Sequence, residues 1–241
     1  MTTIIVFLAV LPSLVLLFYI YKRDSINKEP KSLLLKLFVL GCLSVIPIII
    51  AEFFVVDLMD IYIFDNTLYN LVDAFVCAAL VEESIKFIVT KLTIWKNKAF
   101  DSTFDGMVYC AFVSMGFATV ENIIYCLFFG LPTVFSRMFT SIPGHFSFAI
   151  VMGFFISKAK YEETKCKKQE INTNKSRKLL ACSLIIPVIQ HGFYDFCLVQ
   201  DSRVLFFVFI LVVVFSYLII LIIVHREHKR DTLFYEDDRL L

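Results

Sequence analysis

Residues 81–87 read Val81-Glu82-Glu83-Ser84-Ile85-Lys86-Phe87, three charges set inside a predominantly apolar run over 71–89. A charge at membrane depth costs at least ~2.5–3.5 kcal/mol on insertion scales, so such groups are normally paired, turned toward protein, and functional. This stretch decides the fold because the same apolar signal recurs along the whole chain. Of 241 residues, 59% are hydrophobic, with 27 Phe but only 7 Gly and 6 Pro. Soluble domains sit nearer ~45–50% apolar. Repeated runs of about 20 apolar residues imply membrane-crossing helices. The expected fold is all-α: a polytopic membrane helix bundle of about seven transmembrane helices, forming a single integral membrane domain over 1–241.

The spans expected are 3–21, 33–56, 71–92, 104–129, 138–157, 179–199 and 204–224. Residues 57–70 and 130–137 then read as loops, 158–178 as a long basic loop, and 225–241 as a cytoplasmic tail. The four spans within 71–199 form the core that carries the polar residues. The first 21 residues do not read as a cleaved signal, because Lys22 and Arg23 follow the apolar run instead of preceding it. The net charge of +1 says little, but its distribution is informative. Segments 22–36, 91–98, 158–178 and the tail hold 20 of the 23 Lys and Arg, which puts the N-terminus outside and the C-terminus inside. Pro47 is expected to kink the second span. The seven cysteines contain no CxxC pair, and six lie in apolar runs, so they read as packing thiols. No basic, aromatic-interleaved patch points to nucleic acid. The partners expected are the lipid bilayer and a membrane-embedded substrate.

Beyond lipid-facing helix, Glu82, Lys86, Glu121, His145, His191 and Asp195 need an explanation. Glu82 and Lys86 are i,i+4 with the acid on the N-terminal side, the favourable order for a pair. His191 and Asp195 share the same spacing. Glu83 is turned about 100° from Glu82 and can serve a different neighbour. At ~1.5 Å per residue, His191 and Glu121 lie roughly 12 Å in from the outer ends of their spans, His145 about 10 Å and Glu82 about 15 Å. Placements from separate helices converge on the outer half of the bilayer.

A carboxylate and two imidazoles in a water-admitting cavity suit hydrolysis. The carboxylate deprotonates water. The imidazoles polarise a carbonyl or bind a metal that does so. Two His and a carboxylate (Glu82, His145, His191) can make an open zinc site, and the same groups can also work without metal. Structural readings compete: a Glu–Lys pair can be purely architectural, and Glu121 with Asn122 can act as helix–helix glue. A proton or ion pathway would use the same charges.

The motifs themselves resemble a known family. Glu82-Glu83-Ser84-Ile85-Lys86 is similar to the EExxK signature of PrsW-type intramembrane proteases. Residues 104–109 and 111–122, His145 with Gly153, and His191-Gly192-Phe193-Tyr194-Asp195-Phe196 resemble that family's other motifs, in order, over roughly 71–196. The family looks related to type II CAAX prenyl endopeptidases and bacteriocin-immunity proteins of a glutamyl-protease-like fold. The resemblance implies Glu82, Glu83, His145, His191 and Asp195 as catalytic residues, with Lys86 and Glu121 in support. Glu82 would be the base, and His145 and His191 carbonyl or metal partners. The prenyl proteases carry Asn where this chain has Asp195, so their mechanism does not transfer directly. The implied activity is site-1 cleavage of a single-span anti-sigma factor on the outer side of the bacterial plasma membrane. A prenyl-protein or bacteriocin-immunity protease is the alternative within the same chemistry.

Overall fold

The structure is a computed structural model, and it describes residues 2–24, 26–169, 174–200, 202–231 and 233–234. In chain order the helices are α1 (Thr2–Arg23), α2 (Lys31–Tyr62), α3 (Asn66–Val72), a π-helical stretch (Asp73–Leu80), α4 (Val81–Ile94), α5 (Asp105–Phe129), α6 (Leu131–Phe139), α7 (Ser141–Lys168), α8 (Lys175–Val199) and α9 (Arg203–Lys229). Beyond helix, the described residues form one antiparallel bridge, Ser102 with Leu233. Six helices are long and apolar enough to cross a membrane, counting α6 and α7 together. The remaining expected span corresponds to the continuous helical run over 66–94, which changes type at its π-helical middle. At 1.5 Å per residue it is roughly 40 Å long, enough to cross.

Three connections differ from expectation. The loop expected over 57–70 is mostly helix: α2 runs on to Tyr62, and Asp65 starts α3 by accepting from Leu68 N at 2.7 Å. Helix propensity outlasts apolar periodicity here, and an Asp at the N-cap restarts the helix. The basic loop over 158–178 is largely helix too, because α7 continues to Lys168 and α8 begins at Lys175. Residues 170–173 of that loop and 235–241 of the expected tail lie outside the described residues, while the tail's first residues extend α9.

The third difference bears on function. Instead of a loop over 130–137, Gly130 turns the chain with φ +80° into α6, which has Pro132 in its first turn. Val134 then packs with Ala9 and Cys126, and Arg137 bonds Glu121 and Asn122. Those partners lie progressively deeper along α5. Helix α6 therefore turns back along α5 and leads into α7, its backbone hydrogen bonds met within the helix and its one buried residue, Val134, facing the bundle.

Helix α5 is the central post, and glycines let its neighbours reach it. A Cβ on Gly116 would sit 2.1 Å from the Phe38 carbonyl oxygen, and one on Gly41 2.0 Å from that of Val113. On the other side, a Cβ on Gly153 would lie 2.4 Å from the Gly106 carbonyl oxygen. Backbone-to-backbone approach of α2 and α7 to α5 is how helices gain contact where lipid offers no hydrophobic drive.

At the end of the bundle that carries the basic segments, carboxylates are buried together. Asp24, Glu29 and Asp105 are each at most 2% exposed. Tyr109 donates its hydroxyl to Glu29, and Ser102 donates N–H and O–H to Asp105 at 2.7 and 2.6 Å. Asp231 accepts from Phe104 N at 3.0 Å, which pins the chain after α9 to this end. Burial, and then the neighbouring Asp105 charge, pushes the Glu29 carboxyl up to about 9. A carboxyl raised on folding stabilises the fold fully only below its unfolded value of about 4.5, and the contribution drains away as pH rises through about 9. The detergent-solubilised protein is therefore expected to lose thermal stability as pH rises from about 4.5 to about 9, and Glu29→Gln to flatten that slope. An unchanged slope in the variant contradicts the assignment.

Candidate functional site

The π-helical stretch ends at Leu80, and α4 starts at Val81 with both glutamates in its first turn. π-Helical turns often mark functional sites, because they shift the face a helix presents, and here they run over eight residues. Gly192 on α8 makes room for this segment: a Cβ there would meet the Phe75 ring at 2.5 Å. Close seating of α8 on the π-helical stretch brings His191 to the glutamates.

Lys86 is the hub. Its Nζ donates to Glu82 Oε2 at 2.8 Å and to Glu83 Oε1 at 2.9 Å, lies 3.4 Å from His145 Nδ1, and sits 4.1 Å above the Phe117 ring. Glu83 and Lys86 are each 1% exposed. His191 Nδ1 pairs with Glu83 Oε1 at 3.1 Å, and its Nε2 with Asp195 Oδ2 at 3.1 Å. His191 also stacks on Phe148 at 4.7 Å between centroids. His145 Nε2 pairs with Glu121 Oε2 at 3.0 Å.

The structure thus brings together every side chain singled out from sequence. Glu82, Glu83, His145 and His191 each offer one ligand atom, all within 4.8 Å of one another. Lys86 links the two glutamates, and Glu121 and Asp195 each back one histidine. Glu83, turned from Glu82 around the helix, does serve a different neighbour. It shares Lys86 at i,i+3 and faces His191, because α8 packs against that side of α4. Asn122 does act as glue, donating to the Ala9 carbonyl of α1 at 2.8 Å.

Sequence reading missed Arg137, Glu52 and Asp73. Arg137 donates to Glu121 Oε2 at 2.6 Å and to Asn122 Oδ1 at 2.9 Å. Glu52 of α2 and Asp73 line the same cavity as the cluster. The signal for Glu52 was available, since it is a charge inside an apolar span, the criterion that selected Glu82. Arg137 was hidden by its position in an apparent loop.

The cavity holds about 1050 Å³. Glu82, Glu121, His145 and His191 line it, and Phe129, Val199 and Phe206 carry it toward the end of the bundle where α5 and α8 stop and α9 starts. That is the end opposite the basic segments. A cavity of this size beside buried acid and imidazole groups has room for water and a peptide segment, which is the setting hydrolysis needs.

The donor set also fits a divalent metal. Two imidazoles and two carboxylates are ligands of the kind zinc takes, and Glu83 Oε2 is buried with no hydrogen-bond partner. Lys86 already neutralises one carboxylate charge of the pair, and Glu121 and Asp195 orient the imidazoles as outer partners do in metal centres.

Comparison with known proteins points the same way. The family model described as PrsW family intramembrane metalloprotease matches residues 29–222. The curated Protease PrsW of Clostridioides difficile (strain 630) is 36% identical over 201 residues, covering 81% of this chain and 79% of that protein. Protease PrsW of Geobacillus kaustophilus (strain HTA426) is 35% identical over 194 residues, with 80% and 79% covered. Protease PrsW of Bacillus subtilis (strain 168) is 30% identical over 199 residues, with 81% and 83% covered. No solved structure gives a significant match.

Removing one member of a buried ion pair leaves the other charge uncompensated, at a cost of roughly 3–5 kcal/mol. Lys86→Met should therefore lower unfolding stability in detergent by about that amount, and the triple change Lys86→Met/Glu82→Gln/Glu83→Gln should recover much of it. A Lys86→Met protein as stable as the parent contradicts the bridging role.

Proposed function

The chain belongs to the PrsW family of intramembrane metalloproteases, and from that premise we propose that it performs site-1 cleavage of a single-span anti-sigma factor on the outer side of the bacterial plasma membrane. It is a multi-pass membrane peptidase, and its substrate is a membrane protein. The observation that carries the finer reading is the convergence of Glu82, His145 and His191 on a cavity whose lining runs to the end of the bundle where α5 and α8 stop. Twenty of the 23 Lys and Arg lie in segments 22–36, 91–98, 158–178 and 225–241, and the positive-inside rule assigns those segments to the cytoplasm. The cavity lining runs to the other end, which supports an outward-facing site.

In this reading Glu82 takes a proton from water as the water oxygen adds to the scissile carbonyl, and returns that proton to the leaving nitrogen as the C–N bond breaks. Lys86 holds the Glu82 carboxylate at 2.8 Å and orients it. Glu82, His145 and His191 would hold the metal, with Glu83 beside them, and zinc is the ion this donor set suits. Bound there, the metal would polarise the carbonyl and acidify water. Asp195 fixes the ring of His191 through Nε2, and Glu121 fixes that of His145. The cavity would admit a peptide segment together with the attacking water at the outer side of the membrane.

The test is cleavage of a co-expressed single-span anti-sigma factor. Glu82→Ala, His145→Ala and His191→Ala proteins that insert normally are expected to leave it full-length. Purified parent protein is expected to carry about one zinc per chain by elemental analysis, lost in the His145→Ala/His191→Ala protein. Unchanged cleavage by Glu82→Ala ends the assignment of the base, and metal-free protein that still cleaves ends the metal assignment.

A further inference from the structure

We propose that Arg137 is a positioning residue of this site: it holds Glu121, and Glu121 in turn presents His145 with Nδ1 toward Lys86 and the glutamate pair. The inference rests on His145 belonging to the reactive centre, as read above.

The geometry is a chain of four bonds. Asn122 Nδ2 donates to the Ala9 carbonyl oxygen at 2.8 Å, and Asn122 Oδ1 accepts from Arg137 Nε at 2.9 Å. Arg137 Nη2 donates to Glu121 Oε2 at 2.6 Å, and the same oxygen pairs with His145 Nε2 at 3.0 Å. One carboxylate oxygen therefore receives both the guanidinium and the imidazole. Any shift of the guanidinium moves the acceptor that orients the ring. A carboxylate on one ring nitrogen fixes the tautomer and leaves the other nitrogen free for the reactive side.

Arginine is required by the shape of the contact. Its Nε and Nη2 reach two acceptors on the successive residues Glu121 and Asn122, a planar fork that lysine lacks. The guanidinium also lies 4.2 Å from the Tyr125 ring centroid, which locks its plane. Its side chain is only 15% exposed, so the Glu121 pair is shielded from water. The residue reaches this place because α6 turns back along α5. Arg137 thus ties α6 to α5 and the site, and through Asn122 to α1.

The experiment uses full-length protein in detergent and a single-span reporter protein that the parent cleaves. Arg137→Gln is expected to lower kcat about 10–100-fold, the usual range for outer partners of reactive histidines, with KM within about twofold. Arg137→Lys should fall between it and the parent. The double variant Arg137→Gln/Glu121→Gln should be no slower than Glu121→Gln alone, because both act through one path. A ¹⁵N-histidine spectrum should show His145 as the Nε2–H tautomer in the parent and an altered signal in Arg137→Gln, with His191 unmoved. Unchanged kcat, a loss confined to KM, additive losses in the double variant, or an unmoved His145 signal each overturn the proposal. Should His145→Ala be inactive while Arg137→Gln is fully active, only this relay fails; an active His145→Ala removes the reading beneath it.

Discussion

The arrangement depends on one ammonium group among buried acids. Two adjacent carboxylates inside a membrane protein repel each other and have lost their water, and neither can stay charged without a counterion. Lys86 supplies it to both at once, at 2.8 and 2.9 Å. The spacing is what a helix permits: i,i+3 and i,i+4 from a single lysine onto neighbouring glutamates. One net negative charge remains on the pair. The two histidines approach that charge, His191 from α8 and His145 from α7. The charge arithmetic that makes Glu82 and Glu83 tolerable in the bundle also makes them useful, since it leaves oriented carboxylate oxygens facing imidazole nitrogens beside a cavity with room for water.

Bringing four helices to one point requires close backbones. Gly106 and Gly153 let α5 and α7 touch, Gly41 and Gly116 do the same for α2 and α5, and Gly192 seats α8 on the π-helical stretch through Phe75. None of these glycines carries chemistry. They set the distances at which His145 and His191 meet the glutamates, and small residues at crossings are the means available where lipid is as apolar as the side chains. The second layer is polar. Glu121 and Asp195 each hold the far nitrogen of one histidine, so both rings are fixed from behind.

The site was more legible in the sequence than the connections around it. Charges inside apolar runs are costly, so Glu82, Lys86, Glu121 and His191 announced themselves, and depth matching brought them together before any coordinates. The place of Glu83 was not legible, because a single helix shows which way a residue turns but not which neighbour waits there; α8 decides that. Arg137 was invisible for a related reason. A nine-residue stretch after a glycine reads as a loop, and only packing of Val134 against Ala9 and Cys126 shows that it turns back along α5. Glu52 could have been found by the same cost argument that found Glu82. The expected loop over 57–70 failed because apolar periodicity fades where α2 leaves the bundle, while the helix itself continues to Tyr62.

The central claim is spatial: acid from α4 and imidazole from α8 share one pocket inside the bundle. In a background with the native cysteines replaced, Glu83→Cys and His191→Cys can be joined by a short thiol-reactive bifunctional reagent in intact membranes and the link read after cutting the chain between α4 and α8. The account predicts an efficient link for this pair and none between Ile88→Cys and Ile189→Cys, both on exposed faces. A failure of the 83–191 pair to join, with both thiols reactive toward single reagents, would contradict it.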